Sequence, residues 1–292
     1  MLCSETLLKN ILDSLPSLSS ISVQSVEIRA SSHWQFANLL PLRSLSSLTF
    51  VDFWSPAQIM FFGRINDIQT FTLIDVNVTQ RPTLDTLVHS NIRVCNLIIK
   101  ETETLYSLHE CLEFNLDLGA LQNYFITFSD PWDTVHIATF FENSDFSGLT
   151  SVHLDLLPGN MYHGDFVDWG GFPSAKLLRT LRTVHFTLHF DYHDHISWKE
   201  PSVIVSSLPS KAVTDLSIVV GGAWQVMEMD LESLDYELEN FSALRRVDIL
   251  TRALGESFQK VVDHVKGSMG RLQSKGLLSV QRFEDDPYAS HA

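Results

Sequence analysis

Residues 189–198 read HFDYHDHISW and hold the densest set of candidate ligands in the chain: His189, Asp191, His193, Asp194 and His195, with His185 just upstream. Imidazole and carboxylate donors suit zinc and similar ions. In an extended strand side chains alternate, so His189, His193 and His195 would share one face and could converge. The spacing H-x3-H-x-H is no established ligand signature, and a polar loop following a strand explains the same residues. A metal-binding protein or metal-dependent enzyme centred on His185–His195 is therefore carried as an alternative. The chain has no G-x-S-x-G, H-E-x-x-H, G-x-x-x-x-G-K or G-x-G-x-x-G. The leading expectation is a protein that is not an enzyme and takes no cofactor.

The elements that would position these residues repeat along the chain. LPSLSSISV (15–23), LRSLSSLTF (42–50), FSGLTSVHL (146–154), LRTLRTVHF (178–186) and FSALRRVDI (241–249) share one pattern of apolar positions. Taking the first apolar residue of each terminal pair marks Ile21, Leu48, Phe71, Leu97, Tyr124, Val152, Val184, Leu216, Val247 and Leu278. The mean step is about 29 residues, the length scale of leucine-rich repeats. The two residues flanking one position share a face of a strand. Leucines three apart fit the turn feeding it, and stacking closes the apolar face each unit leaves open.

The intervening stretches carry one-face helical spacing at 5–15, at 102–114, after Asp130-Pro131-Trp132 and, most clearly, at 257–273 (SFQKVVDHVKGSMGRLQ). The expected fold is α/β: a leucine-rich-repeat solenoid, or horseshoe, with parallel strands on the concave face and helices on the convex face. About ten degenerate repeats fill 1–283, and the acidic tail 284–292 is expected to be disordered. A doubly wound sheet is the competing arrangement, but its strand order is not sequential.

In that register the residues before the first nine marks are all polar: Ser20, Ser47, Thr70, Asn96, Asn123, Ser151, Thr183, Asp215 and Arg246. A slip of one residue would expose the apolar set instead. The next column runs Ser22, Thr49, Thr72, Ile98, Phe125, His153, His185, Ser217 and Asp248. The expected partner-binding set is Asn123, Phe125, Ser151, His153, Asp155, Thr183, His185, Thr187, Asp215, Ser217 and Arg246, all projecting away from the core. The connection 156–173 carries Tyr162, Phe166, Trp169 and Phe172, expected to pack back over the core.

Acidic residues outnumber basic ones 35 to 20, a net charge of −15. Nucleic acid and anionic lipid both need clustered Lys and Arg, so neither is the expected main partner. No apolar run is long enough to span a membrane, and no basic-then-apolar leader opens the chain. Cys3, Cys95 and Cys111 are too few and too far apart for a disulfide framework, which fits a cytoplasmic or nuclear setting. Cys95 and Cys111 are expected to behave as small core hydrophobes.

The five copies quoted above, with LRRVDILTRALGESFQKVVDHV and the ending GLLSVQRFEDD, resemble the leucine-rich-repeat region of fungal F-box-like proteins. In that family an N-terminal F-box docks on the adaptor of a cullin-type ubiquitin ligase and the repeats hold the substrate. The resemblance implies a protein-protein interaction module, the substrate-recognition part of such a ligase. The stretch ahead of the first repeat, 1–14, is too short for an F-box, so ligase subunits are expected as partners only if an F-box is supplied elsewhere. A structural scaffold without a tight partner is the third reading.

Overall fold

The computed structural model describes residues 2–3, 17–24, 27–28, 43–53, 65–76, 91–100, 105–128, 137, 139–142, 144–156, 178–188 and 200–283. The chain divides into two compact units. The first holds 1–125 with Ser144–Gly148, and the second holds 126–143 with Leu149–Ala292. The expected α/β class holds in its coarse form, with parallel strands and helices along the chain in both.

In the first unit, β1 (Leu2–Cys3) pairs with β3 (Glu27–Ile28). A separate run of parallel strands is built from β2 (Ser20–Gln24), β4 (Arg43–Phe53), β5 (Ile65–Val76) and β6 (Ile92–Lys100). Its marks lie side by side, Ile21 beside Leu48, Leu48 beside Phe71, and Phe71 beside Leu97. Helix α1 (Leu105–Asn115) follows, then a short strand β7 (Leu116–Asp117) against β6. A 3-10 turn (Leu118–Ala120) leads into β8 (Asn123–Phe128). The unit boundary falls inside β8, after Phe125.

The second unit continues with β9 (Ser151–Leu156), β10 (Thr183–Leu188), β11 (Asp215–Val220), β12 (Arg246–Thr251) and β13 (Leu278–Arg282), again parallel and in chain order. Val152, Val184, Leu216, Val247 and Leu278 stand in one row. Between strands lie α2 (Glu200–Ser206), α3 (Ala223–Glu228), α4 (Leu231–Glu239), α5 (Gly255–Ser268) and α6 (Gly270–Ser274). Helix α4 packs on α2, α5 and α6, and α5 packs on α3 and β13.

The repeat explains the core. Leu48 and Phe50, Phe71 and Leu73, and Leu97 and Ile99 are buried in the first unit. Val152 and Leu154, Val184 and Phe186, Leu216 and Ile218, and Val247 and Ile249 are buried in the second. The residues three before the eight marks from Leu48 to Val247 are buried too: Leu45, Ile68, Val94 and Leu121, then Leu149, Leu181, Val213 and Leu244. Fully burying such a side chain stabilises by about 1.5–3 kcal/mol.

Backbone bonds tie successive turns at one place. Arg182 N donates to Thr150 O at 2.8 Å, Thr214 N to Arg182 O at 2.8 Å, and Arg245 N to Thr214 O at 2.7 Å. In the first unit Gly148 meets the 3-10 turn so closely that a Cβ would lie 2.4 Å from Gly119 O. Any larger residue there must move the backbone.

One expectation needs correction. The helix expected to run unbroken over 257–273 is two helices. Met269 leaves helical geometry at φ −106°, ψ 52° and ends α5, and α6 starts at Gly270. The restart is held from another helix. The Asp235 carboxylate of α4, 1 % exposed, accepts Arg271 N–H and Leu272 N–H, each at 3.0 Å. It satisfies amides that the first turn of a helix leaves without partners. Helix α4 itself was not anticipated, although its signal is present: Asp230 accepts Ser233 N–H at 3.1 Å as N-cap, and Leu231, Leu234 and Leu238 keep one-face spacing. The helix expected over 102–114 is α1. The stretch 5–15, the tail 284–292 and, apart from Leu156, the connection 156–173 lie outside the described residues.

Candidate binding face

Opposite the main core, β9 to β12 present three columns of side chains. The column before the marks aligns Ser151, Thr183, Asp215 and Arg246. The first three are half-buried and Arg246 is exposed. The second column aligns His153, His185, Ser217 and Asp248, and the third aligns Asp155, Thr187, Val219 and Leu250.

The second and third columns do leave the main core, as the alternation of strands requires. They are less open than expected. His153, Thr187 and Ser217 are 6 %, 4 % and 7 % exposed, which removes them as free contact residues. The third column turns apolar at Val219 and Leu250, which join Phe283 in a small second cluster. Strands β11 and β12 are thus buried on both faces near their ends. The sequence signal was available in the unbroken apolar run Ile218-Val219-Val220, which marks a strand covered on both sides.

The polar groups on this face are mutually engaged. His153 Nε2 and Thr187 Oγ1 are 2.9 Å apart, and Thr127 Oγ1 donates to Asp155 Oδ2 at 3.2 Å. The His153 and His185 rings lie 5.8 Å apart, tilted by 52°. Arg246 Nε meets Asp248 Oδ2 at 2.7 Å, and Gln281 Nε2 donates to Asp248 Oδ1 at 3.2 Å. Burial pushes the His185 imidazole down to about 4, against the opposing pull of Asp248 and Asp215. His185 is therefore neutral at pH 7 and acts as a hydrogen-bonding aromatic rather than a cation.

The first unit carries its own polar column. Asn123 Nδ2 donates to Asn96 Oδ1 at 2.6 Å, and Asn96 Nδ2 donates to Thr70 Oγ1 at 3.1 Å. The Ser20 and Ser47 hydroxyls pair at the same position. Phe125 is half-buried, with Lys100 Nζ 5.1 Å from its ring centroid.

His189, His193 and His195 lie outside the described residues. Among the described residues no group of three His, Cys, Asp or Glu side chains could hold a metal ion. Cys111 is buried, and its thiol is pushed up to about 12 by burial and then by Glu110. It packs as a small apolar group and offers no thiolate nucleophile. Among the described residues no helix is long and apolar enough to cross a membrane.

No family model matches the chain, and no curated protein or solved structure is significantly similar to it.

Proposed function

We propose that the chain is a leucine-rich-repeat interaction module that takes another protein on the polar face of β9 to β12. The observation that carries this is the row of half-buried or exposed polar side chains, Ser151, Thr183, Asp215 and Arg246, held in unbroken parallel register. Strand order that follows the chain in each unit supports a repeat solenoid over a doubly wound sheet, whose order doubles back. The contact set narrows to that row with Asp155 and His185. The substrate-recognition role of an F-box-type ubiquitin ligase rests on the family resemblance, and ligase adaptor subunits are partners that it implies only if an F-box is supplied elsewhere.

The test is quantitative affinity capture with mass spectrometry, comparing the wild type with Thr183→Arg and Asp215→Arg. Proteins held by the wild type and lost from both variants, with the thermal midpoint unchanged, support the reading. Capture unchanged in both overturns it and favours a structural scaffold. Ubiquitin-ligase adaptors captured by the wild type and retained by both variants support the ligase role.

A further inference from the structure

A cleft of about 580 Å³ opens in the second unit, where the chain enters β10 and β11, away from the polar face described above. Its walls include Arg179, Arg182 and Lys211, with Glu237 as the one acidic residue among the described residues that line it. Arg179 and Lys211 each stand four residues before a strand start, and those starts, Thr183 and Asp215, are paired. The two cations therefore occupy the same repeat position on adjacent turns, about one strand spacing of 4.8 Å apart along the stack. Both are exposed, and neither has an ion-pair partner among the described residues. Arg182 is fixed beside them: its Nη1 donates to Ala212 O at 3.1 Å on the next turn and to Arg179 O and Leu181 O at 3.3 Å each. The floor is apolar, with Leu208, Ala212 and Phe241 buried at 4 %, 8 % and 7 % exposure.

Three cations against one carboxylate stand out in a chain of net charge −15. The rest of that charge is screened beyond about 10 Å in 0.1 M salt, so a ligand in the cleft is governed by its nearest groups. We infer that this cleft is a second binding site, for an acidic peptide segment whose oxyanions, carboxylate or phosphoryl, are received by Arg179 and Lys211. The guanidinium of Arg179 suits two-point binding to such a group, and Lys211 adds a point charge. The apolar floor accepts an adjoining side chain, and the volume lies within the range of ordinary ligand pockets. This reading stands independently of the polar face.

Fluorescence anisotropy with the full chain tests it, using a labelled hexaglutamate peptide, a labelled phosphoserine peptide and, as competitor, inorganic phosphate. One or both peptides should bind. The double variant Arg179→Glu, Lys211→Glu should weaken binding by roughly tenfold or more, and Glu237→Gln should strengthen it about two- to threefold. Tighter binding of the phosphoserine peptide assigns the phosphoryl form, and tighter binding of hexaglutamate assigns the carboxylate form. The inference is overturned if neither peptide binds, if only free phosphate binds, or if the charge-reversed variant, with its thermal midpoint unchanged, binds the peptides as well as the wild type.

Discussion

The two units answer the same repeat pattern differently. In the first, β4, β5 and β6 are 11, 12 and 9 residues long, and steps between marks are short. In the second, β9 to β12 are six residues each, and the longer steps hold α2 to α6. The polar column differs in the same sense. Thr70, Asn96 and Asn123 bond to one another and are occupied in holding adjacent strands. Thr183 and Asp215 occupy the equivalent position without bonding each other along the row, while the hydrogen bonds of that face move inward to His153, Thr187 and Asp248. One sequence position therefore serves the fold in one unit and offers contact groups in the other.

The largest effect should be common to both units, because their cores are built alike. Phe71→Ala and Phe186→Ala should each cost about 3–5 kcal/mol in chemical denaturation. A markedly smaller cost in one unit would show that the two cores do not close equally well.

At this column position a pH response should arise in the second unit, because Thr72, Ile98 and Phe125 fill it with non-titrating side chains in the first. Folded His185 stays neutral to about pH 4, while the unfolded chain takes up its proton near 6.5. The unfolded state then binds more protons between these values, so stability is full above about 6.5, falls as pH drops toward 4, and levels below that. The loss is about 3 kcal/mol by linkage, and His185→Gln should remove it from stability curves measured against pH.

Asp235→Ala should cost about 2 kcal/mol, because two amides of α6 lose their buried acceptor. Hydrogen exchange at Arg271 and Leu272 should accelerate, and unaltered exchange would show that α6 does not depend on α4.

The smallest effect separates the polar columns directly. Asn96→Ala should cost about 1 kcal/mol by breaking the bonds to Thr70 and Asn123, whereas Thr183→Ala should cost only a few tenths. Equal costs would erase the distinction between a structural and an available column.

Most of the frame was legible in the chain itself. Every registered mark lies beside its neighbour, because a two-residue side-chain period with one buried face admits only one register. The polar column was legible for the same reason. The candidate site was legible in its alignment but not in its exposure. His153, Thr187 and Ser217 carry polar side chains yet are buried, and Val219 and Leu250 of the third column gather with Phe283 in an apolar cluster. The break at Met269 was hidden because its apolar spacing continues without interruption through Leu272.

By itself the sequence determined which residues face inward, how strands align and where the repeats fall, since alternation and the hydrophobic effect act on local pattern. Only the tertiary structure decided which polar groups remain open, that Asp235 caps a helix some 36 residues away, and that Arg179, Arg182 and Lys211 line one cleft. Those outcomes depend on distances between segments remote in sequence, which no periodicity encodes.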